Sequence, residues 1–215
     1  MTVLIGMKQD DYVLITGDTK MSHMNRSNQI LETYESNTKI HPICENMIIG
    51  IAGSDRIGKA VIGAIKPIFS LNHKLSVKEM IQHLQKTAIF LHDMYKQVHT
   101  DEAYSILQLV VACIDHKENK SYLYSLSSTS EFVPVECKQD LQAYGVKPQQ
   151  VKEFISANMS SNKYINDEPP IHLFSDAIRS IDDKMVSKDT ITLILNKNKT
   201  AHILYVNEQG NIKKI

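Results

Sequence analysis

The chain has no net charge, its 24 Lys and Arg balancing 24 Asp and Glu over 215 residues. It therefore lacks the long-range positive field with which nucleic-acid and anionic-membrane binders gather their partners, and neither partner is expected. Cysteine is scarce: Cys44, Cys113 and Cys137 are odd in number, far apart and without a C-x-x-C pair. That argues against a disulfide framework and a thiolate zinc site, and it suits a reducing cytosol, so a cytoplasmic location is expected. No apolar run approaches the roughly 20 residues that cross a bilayer; the longest, Ile106 to Ile114, is interrupted by Gln108 and reads as a buried strand. The opening MTVLIGMKQDD lacks the basic n-region and small-residue cleavage site of a secretory signal. H-E-x-x-H, G-x-G-x-x-G, P-loop and G-x-S-x-G patterns are absent too, so no metal or cofactor is expected, and of the nine histidines His41, His83, His92 and His172 read as packing or surface residues.

What the sequence does hold is 42% apolar residues, enough for a large core. There is no repeat or low-complexity linker, so residues 1–215 read as one domain. Thr2 to Gly6 and Tyr12 to Gly17 are β-branched and aliphatic runs about a polar turn, a hairpin. Ile30, Glu32 and Tyr34 alternate, and Lys39 to Ile43 and Met47 to Ala52 give two more strands, so the first quarter reads as an antiparallel meander. Ser54 then caps a helix carrying Ile57, Val61, Ile62 and Ile65, expected to kink or end near Pro67. Ser76 and Glu79 form a capping box ahead of an apolar stripe from Val77 to Val98. Strands follow at Ile106 to Ile114, Ser121 to Leu126 and Glu131 to Val135. Two more helices start near Pro148 and Pro170, and strands at Thr190 to Leu195 and Ala201 to Val206 close the chain.

Amphipathic helices in pairs must cover a sheet face. Two groups of strands interleaved with two helix pairs most simply stack as helices, sheet, sheet, helices: an α+β fold in the form of a four-layer αββα sandwich. A two-layer α+β fold could use the same elements.

Four segments are more specific than this pattern. Thr2-Val3-Leu4-Ile5-Gly6, Asp18-Thr19-Lys20-Met21-Ser22, Lys39-Ile40-His41-Pro42 and Gly50-Ile51-Ala52-Gly53-Ser54-Asp55 resemble, in order and near-identical spacing, the proteasome β-type family of N-terminal nucleophile hydrolases. The resemblance is specific over the first quarter and looser, through the order of elements, over the whole. It implies the αββα sandwich, peptide-bond hydrolysis by an N-terminal threonine, and a homo-oligomeric ring that encloses the sites. Peptide or unfolded protein would be the substrate, and an ATP-driven unfoldase is a candidate partner.

The chemistry follows from the residue types. A threonine hydroxyl is a weak nucleophile without a base, and an N-terminal threonine carries its own, an α-amine of pKa about 7.7–8.0. Met1 precedes a small residue, the context in which initiator methionine is usually removed, which would expose Thr2. By resemblance, Lys39 eases proton loss from Thr2, Asp18 holds Lys39, and the Gly53 N–H faces the developing oxyanion. Ser22 would hydrogen-bond an extended peptide, and Ile51 would shape the pocket below the scissile residue.

Two departures fall near these residues. Ala143-Tyr144-Gly145-Val146-Lys147 occupies the place of a Gly-Ser-Gly segment, with Val146 where its serine would be. The late D-x-x-S-G-G is only echoed by Asp183-Lys184-Met185-Val186-Ser187-Lys188, which places Ser187 among the candidate catalytic residues but has one extra residue between Asp and Ser and lacks the glycines. The amphipathic N-terminal extension of α-type subunits is absent, which favours a β-type role. The alternatives are a catalytically inactive proteasome-like scaffold, or an N-terminal threonine enzyme acting on small amides or in transpeptidation.

Overall fold

The computed structural model describes residues 2–24, 30–35, 39–72, 74–98 and 106–215; the side chains of 22–24 and 30–35 lie outside that description. Strands β1 (Val3–Lys8) and β2 (Tyr12–Asp18) form the opening hairpin, with Leu4 opposite Gly17. They sit in an antiparallel sheet with β10 (Leu141–Gly145), β11 (Thr190–Asn196), β12 (Ala201–Val206) and β13 (Ile212–Lys214), in the order β10-β1-β2-β11-β12-β13. A second sheet runs β5 (Ile40–Cys44), β6 (Met47–Gly53), β7 (Leu107–Asp115), β8 (Lys120–Ser127) and β9 (Val135–Glu136), and β3 (Lys20–Met24) with β4 (Ile30–Glu35) makes a separate ribbon. Helices α1 (Asp55–Leu71) and α2 (Val77–Val98) follow β6, and α3 (Pro148–Asn158) and α4 (Ile171–Arg179) follow β10.

The period of two along each strand decides what packs where. In β1, Val3, Ile5 and Met7 share a cluster with Val151 of α3 and Phe174 and Ile178 of α4, while Leu4 joins Ile48 and Val110 of the other sheet. In β6, Ile49 and Ile51 pack with Ile57 and Val61 of α1 and Leu84 of α2, while Ile48 and Ala52 turn towards the first sheet. Both sheets are thus apolar on both faces. The architecture is α+β.

Several expectations are corrected. The first quarter is not one meander: β1–β2 and β5–β6 belong to different sheets, joined through the β3–β4 ribbon. Helix α1 does not stop at Pro67 but runs to Leu71, because Phe69 is buried among the core residues and the Ser70 hydroxyl donates to the Ile43 carbonyl at 3.1 Å. Those anchors offset the hydrogen bond that proline removes. Glu131 and Phe132 are not in a strand, having φ of 51° and 55° after a 3-10 turn at Ser128–Ser130, so β9 is only Val135–Glu136. Strands β10 and β13 were not expected.

Candidate active site

The centre of the site is a carboxylate out of water. Asp18 ends β2, where β11 pairs it with Thr190, and it is 0% exposed. A buried carboxylate is tolerable only when its oxygens are fully engaged. Here Oδ1 accepts the Val3 N–H at 2.9 Å and the Lys39 ammonium at 2.9 Å. Oδ2 accepts the same ammonium at 2.8 Å, the Lys20 N–H at 3.2 Å and the Ser187 N–H at 3.3 Å. Lys39, 2% exposed, lies one residue before β5, and its carbonyl accepts the Ile51 N–H at 2.8 Å, which fixes the lysine backbone to β6. Because the Val3 N–H and the ammonium end on one oxygen, Lys39 lies beside the Thr2–Val3 peptide.

Thr2, 8% exposed, is held from the other side. Its carbonyl accepts the Val146 N–H at 3.0 Å, and Gly145 has φ +90° with so little room that an added Cβ would stand 1.9 Å from that carbonyl oxygen. Only glycine can make that approach. The segment in the Gly-Ser-Gly position therefore does adjoin Thr2, with Gly145 clasping its carbonyl and the apolar Val146 supplying a main-chain donor.

Lys39 and the N–H groups of Val3, Lys20 and Ser187 thus converge on the Asp18 carboxylate, with Thr2 one residue before Val3. Gly53 ends β6 two residues after Ile51, with φ +92° and the Ile106 carbonyl 2.2 Å from where a Cβ would be. Ile51 is 3% exposed and its side chain lies in the core between β6 and α1. Ser22 is in β3 opposite Thr33, and its side chain is outside the described residues.

Sequence reasoning missed the main-chain donors of Val3, Lys20 and Ser187, which carry no side-chain signature, and Gly145, whose signal was a glycine at the end of a short alternating run. It also missed the bonds from the Thr19 N–H and hydroxyl to the Asp189 carbonyl at 3.3 and 3.4 Å. An open, polar cleft of about 440 Å³ adjoins this edge, lined by Lys20, Asp183, Ser187, Asp189 and Glu208 among others.

Rival nucleophiles are poorly placed. Cys113 is fully buried and burial pushes its thiol far up, and burial likewise raises the Cys44 thiol, so neither favours the reactive thiolate. Among the described residues, no group of three or more His, Cys, Asp or Glu is placed to hold a metal ion. No curated protein matches the chain significantly. A family model described as proteasome subunit matches residues 2–195.

Proposed function

The chain belongs to the proteasome subunit family, and from that premise we propose that it is a β-type N-terminal threonine peptidase. The observation that carries the reading is the buried Asp18 carboxylate shared between the Lys39 ammonium and the Val3 N–H, which sets a fixed positive charge beside Thr2.

In this reading, removal of Met1 frees the Thr2 amine. The amine takes the hydroxyl proton as the Thr2 oxygen attacks the scissile carbonyl, and the Lys39 charge favours the incipient alkoxide. The Gly53 N–H stabilises the tetrahedral oxyanion. Collapse expels the amine half of the peptide, which leaves with the proton held by the α-amine, and an ester remains on Thr2. Water, deprotonated by the same amine, then hydrolyses the ester and restores the hydroxyl. Asp18 keeps Lys39 in place and charged, and Ser187 supports Asp18 through its N–H. Ser22 binds the extended main chain of a peptide or unfolded protein, and Ile51 backs the pocket for the residue before the cut.

The three hydrophobic clusters support a four-layer αββα sandwich: α1 and α2 against one sheet, the two sheets against each other, α3 and α4 against the second. A homo-oligomeric ring is supported by the family and by apolar side chains left in water on the α1–α2 layer, where Phe90, Met94 and Val98 recur every fourth residue. A ring that encloses its sites calls for a partner that delivers unfolded chains, an ATP-driven unfoldase, in the cytoplasm.

Intact mass of the untagged protein, before and after an electrophile selective for N-terminal threonine, tests the reading alongside hydrolysis of a peptide reporter. Loss of one methionine, a single adduct and peptide turnover are expected. Thr2→Ala should abolish both reactions with the melting temperature nearly unchanged. Peptide hydrolysis retained in Thr2→Ala would overturn the mechanism, and a retained Met1 without adduct would put the inactive scaffold in its place.

A further inference from the structure

The D-x-x-S-G-G echo has two residues, Lys188 and Asp189, where the pattern has glycines, and the proposed chemistry uses neither. Both are anchored by their side chains. The Lys188 ammonium donates to the Arg179 carbonyl at 2.7 Å and to the Ile181 carbonyl at 3.1 Å, capping the C-terminal end of α4. In return the Arg179 Nε donates to the Lys188 carbonyl at 2.9 Å. Arg179 is itself held by the Asp176 carboxylate at 2.8 Å and by the Asn207 carbonyl. Asp189 accepts the Tyr205 hydroxyl and the Glu208 N–H.

We infer that Lys188 and Arg179 form a reciprocal clasp that positions Asp18, and hence the Lys39 charge, from the far end of the loop between α4 and β11. Residues 180–189 leave α4 and return to β11 with their ends tied by this pair. A cation at a helix C-terminus is favoured by the exposed carbonyls and by the helix dipole, so the clasp closes where the field assists it. Closure sets one main-chain group against the carboxylate and a second against the residue beside it. The Ser187 N–H donates to Asp18 Oδ2, and the Asp189 carbonyl takes the Thr19 N–H, the residue next to Asp18. Ser187 and Asp189 flank Lys188, so displacing Lys188 moves both. A glycine at 188 would have no ammonium with which to hold the loop to α4. Lys188 and Arg179 are positioning residues, which act through Asp18.

This inference rests on the threonine reading for its effect on rate, but its structural part can be measured separately. Amide hydrogen exchange and the kinetics of electrophile capture would be compared in wild type, Lys188→Met, Lys188→Gln and Lys188→Arg. In Lys188→Met and Lys188→Gln, exchange at Ser187 and Thr19 should quicken at least tenfold while the β1–β2 amides keep their protection. The limiting rate of adduct formation should fall at least tenfold with the half-saturating electrophile concentration unchanged, and Lys188→Arg, which retains donors to the α4 carbonyls, should recover most of both. Unchanged exchange at Ser187 would overturn the clasp; faster exchange with an unchanged limiting rate would overturn its positioning role. If the wild type captures no electrophile, the threonine reading fails and the exchange data alone decide the clasp. If Lys188→Met does not fold, the shorter amide of Lys188→Gln supplies the comparison.

Discussion

Asp18 and Lys39 show how much one pair of side chains is asked to do. Both are out of water, at 0% and 2% exposure, and transferring two charges into the interior costs several kcal/mol each before their attraction and hydrogen bonds are counted. Lys39 bonds both oxygens and the Val3, Lys20 and Ser187 N–H groups take up their remaining lone pairs, so the site is solvated by the protein itself. Removing one partner leaves the other charge buried and alone. Lys39→Ala should therefore lower stability by about 3–5 kcal/mol and reduce adduct formation at Thr2 by at least ~10²-fold. The neutral pair Asp18→Asn with Lys39→Met should regain much of that stability and none of the reactivity. Urea unfolding and the rate of adduct formation read the two effects, and a double variant no more stable than Lys39→Ala would refute the argument. Lys39 and Asp18 were legible from spacing against a family pattern. The carboxylate's main-chain partners were not, because every residue except proline has an N–H and only tertiary structure chooses which three point at Asp18.

At the level of elements, local signals were sound where they described a helix start and weak where something distant decided the end. The capping box forms as the sequence suggests: the Ser76 N–H donates to Glu79 at 2.8 Å and the Glu79 N–H to the Ser76 hydroxyl at 3.3 Å. Pro67 does not end α1 because the turn after it is held from outside the helix, by Phe69 in the core and Ser70 on Ile43. The link between α3 and α4 depends on Asp176, which accepts Lys163 at 2.6 Å, the Tyr164 hydroxyl at 2.8 Å and Arg179 at 2.8 Å. Burial alone would raise its pKa, but those three donors outweigh it and hold the carboxyl below its usual value. A carboxyl depressed in the folded state adds stability that is complete above its unfolded pKa, about 3.9, and fades as pH falls through the lower folded value. Thermal melts between about pH 2 and 5 should therefore show a shallower acid decline for Asp176→Asn than for wild type. Parallel curves would remove Asp176 from the acid response. The pair Asp176–Arg179 also supports the clasp at Lys188, so Asp176→Asn should quicken Ser187 exchange in the same direction as Lys188→Met.

For the whole molecule, the open question of assembly has a direct answer in mass. A ring requires the native protein to scatter light as a multiple of the 24.4 kDa chain, and Phe90→Asp with Met94→Asp, placing charge on the exposed face of α2, should shift the population towards the single chain. A wild type that runs only as one chain at working concentration would exclude the ring. Legible along the chain were the alternation of strand groups with helix pairs, though not strands β10 and β13, the period-two and helical apolar faces, and the family, since each is a local pattern or a spacing. The residue types that could carry threonine chemistry were legible as well. Long-range packing settled that β1–β2 and β5–β6 part into different sheets, that the short alternating run Leu141–Gly145 pairs with β1 and grips the Thr2 carbonyl, and that Ser187 comes to Asp18 from 169 residues away. The physical reason is common to all three. Strand partners and buried-charge donors are chosen by long-range packing, where burying both faces of two sheets and satisfying one carboxylate outweigh the weak preferences of any single segment.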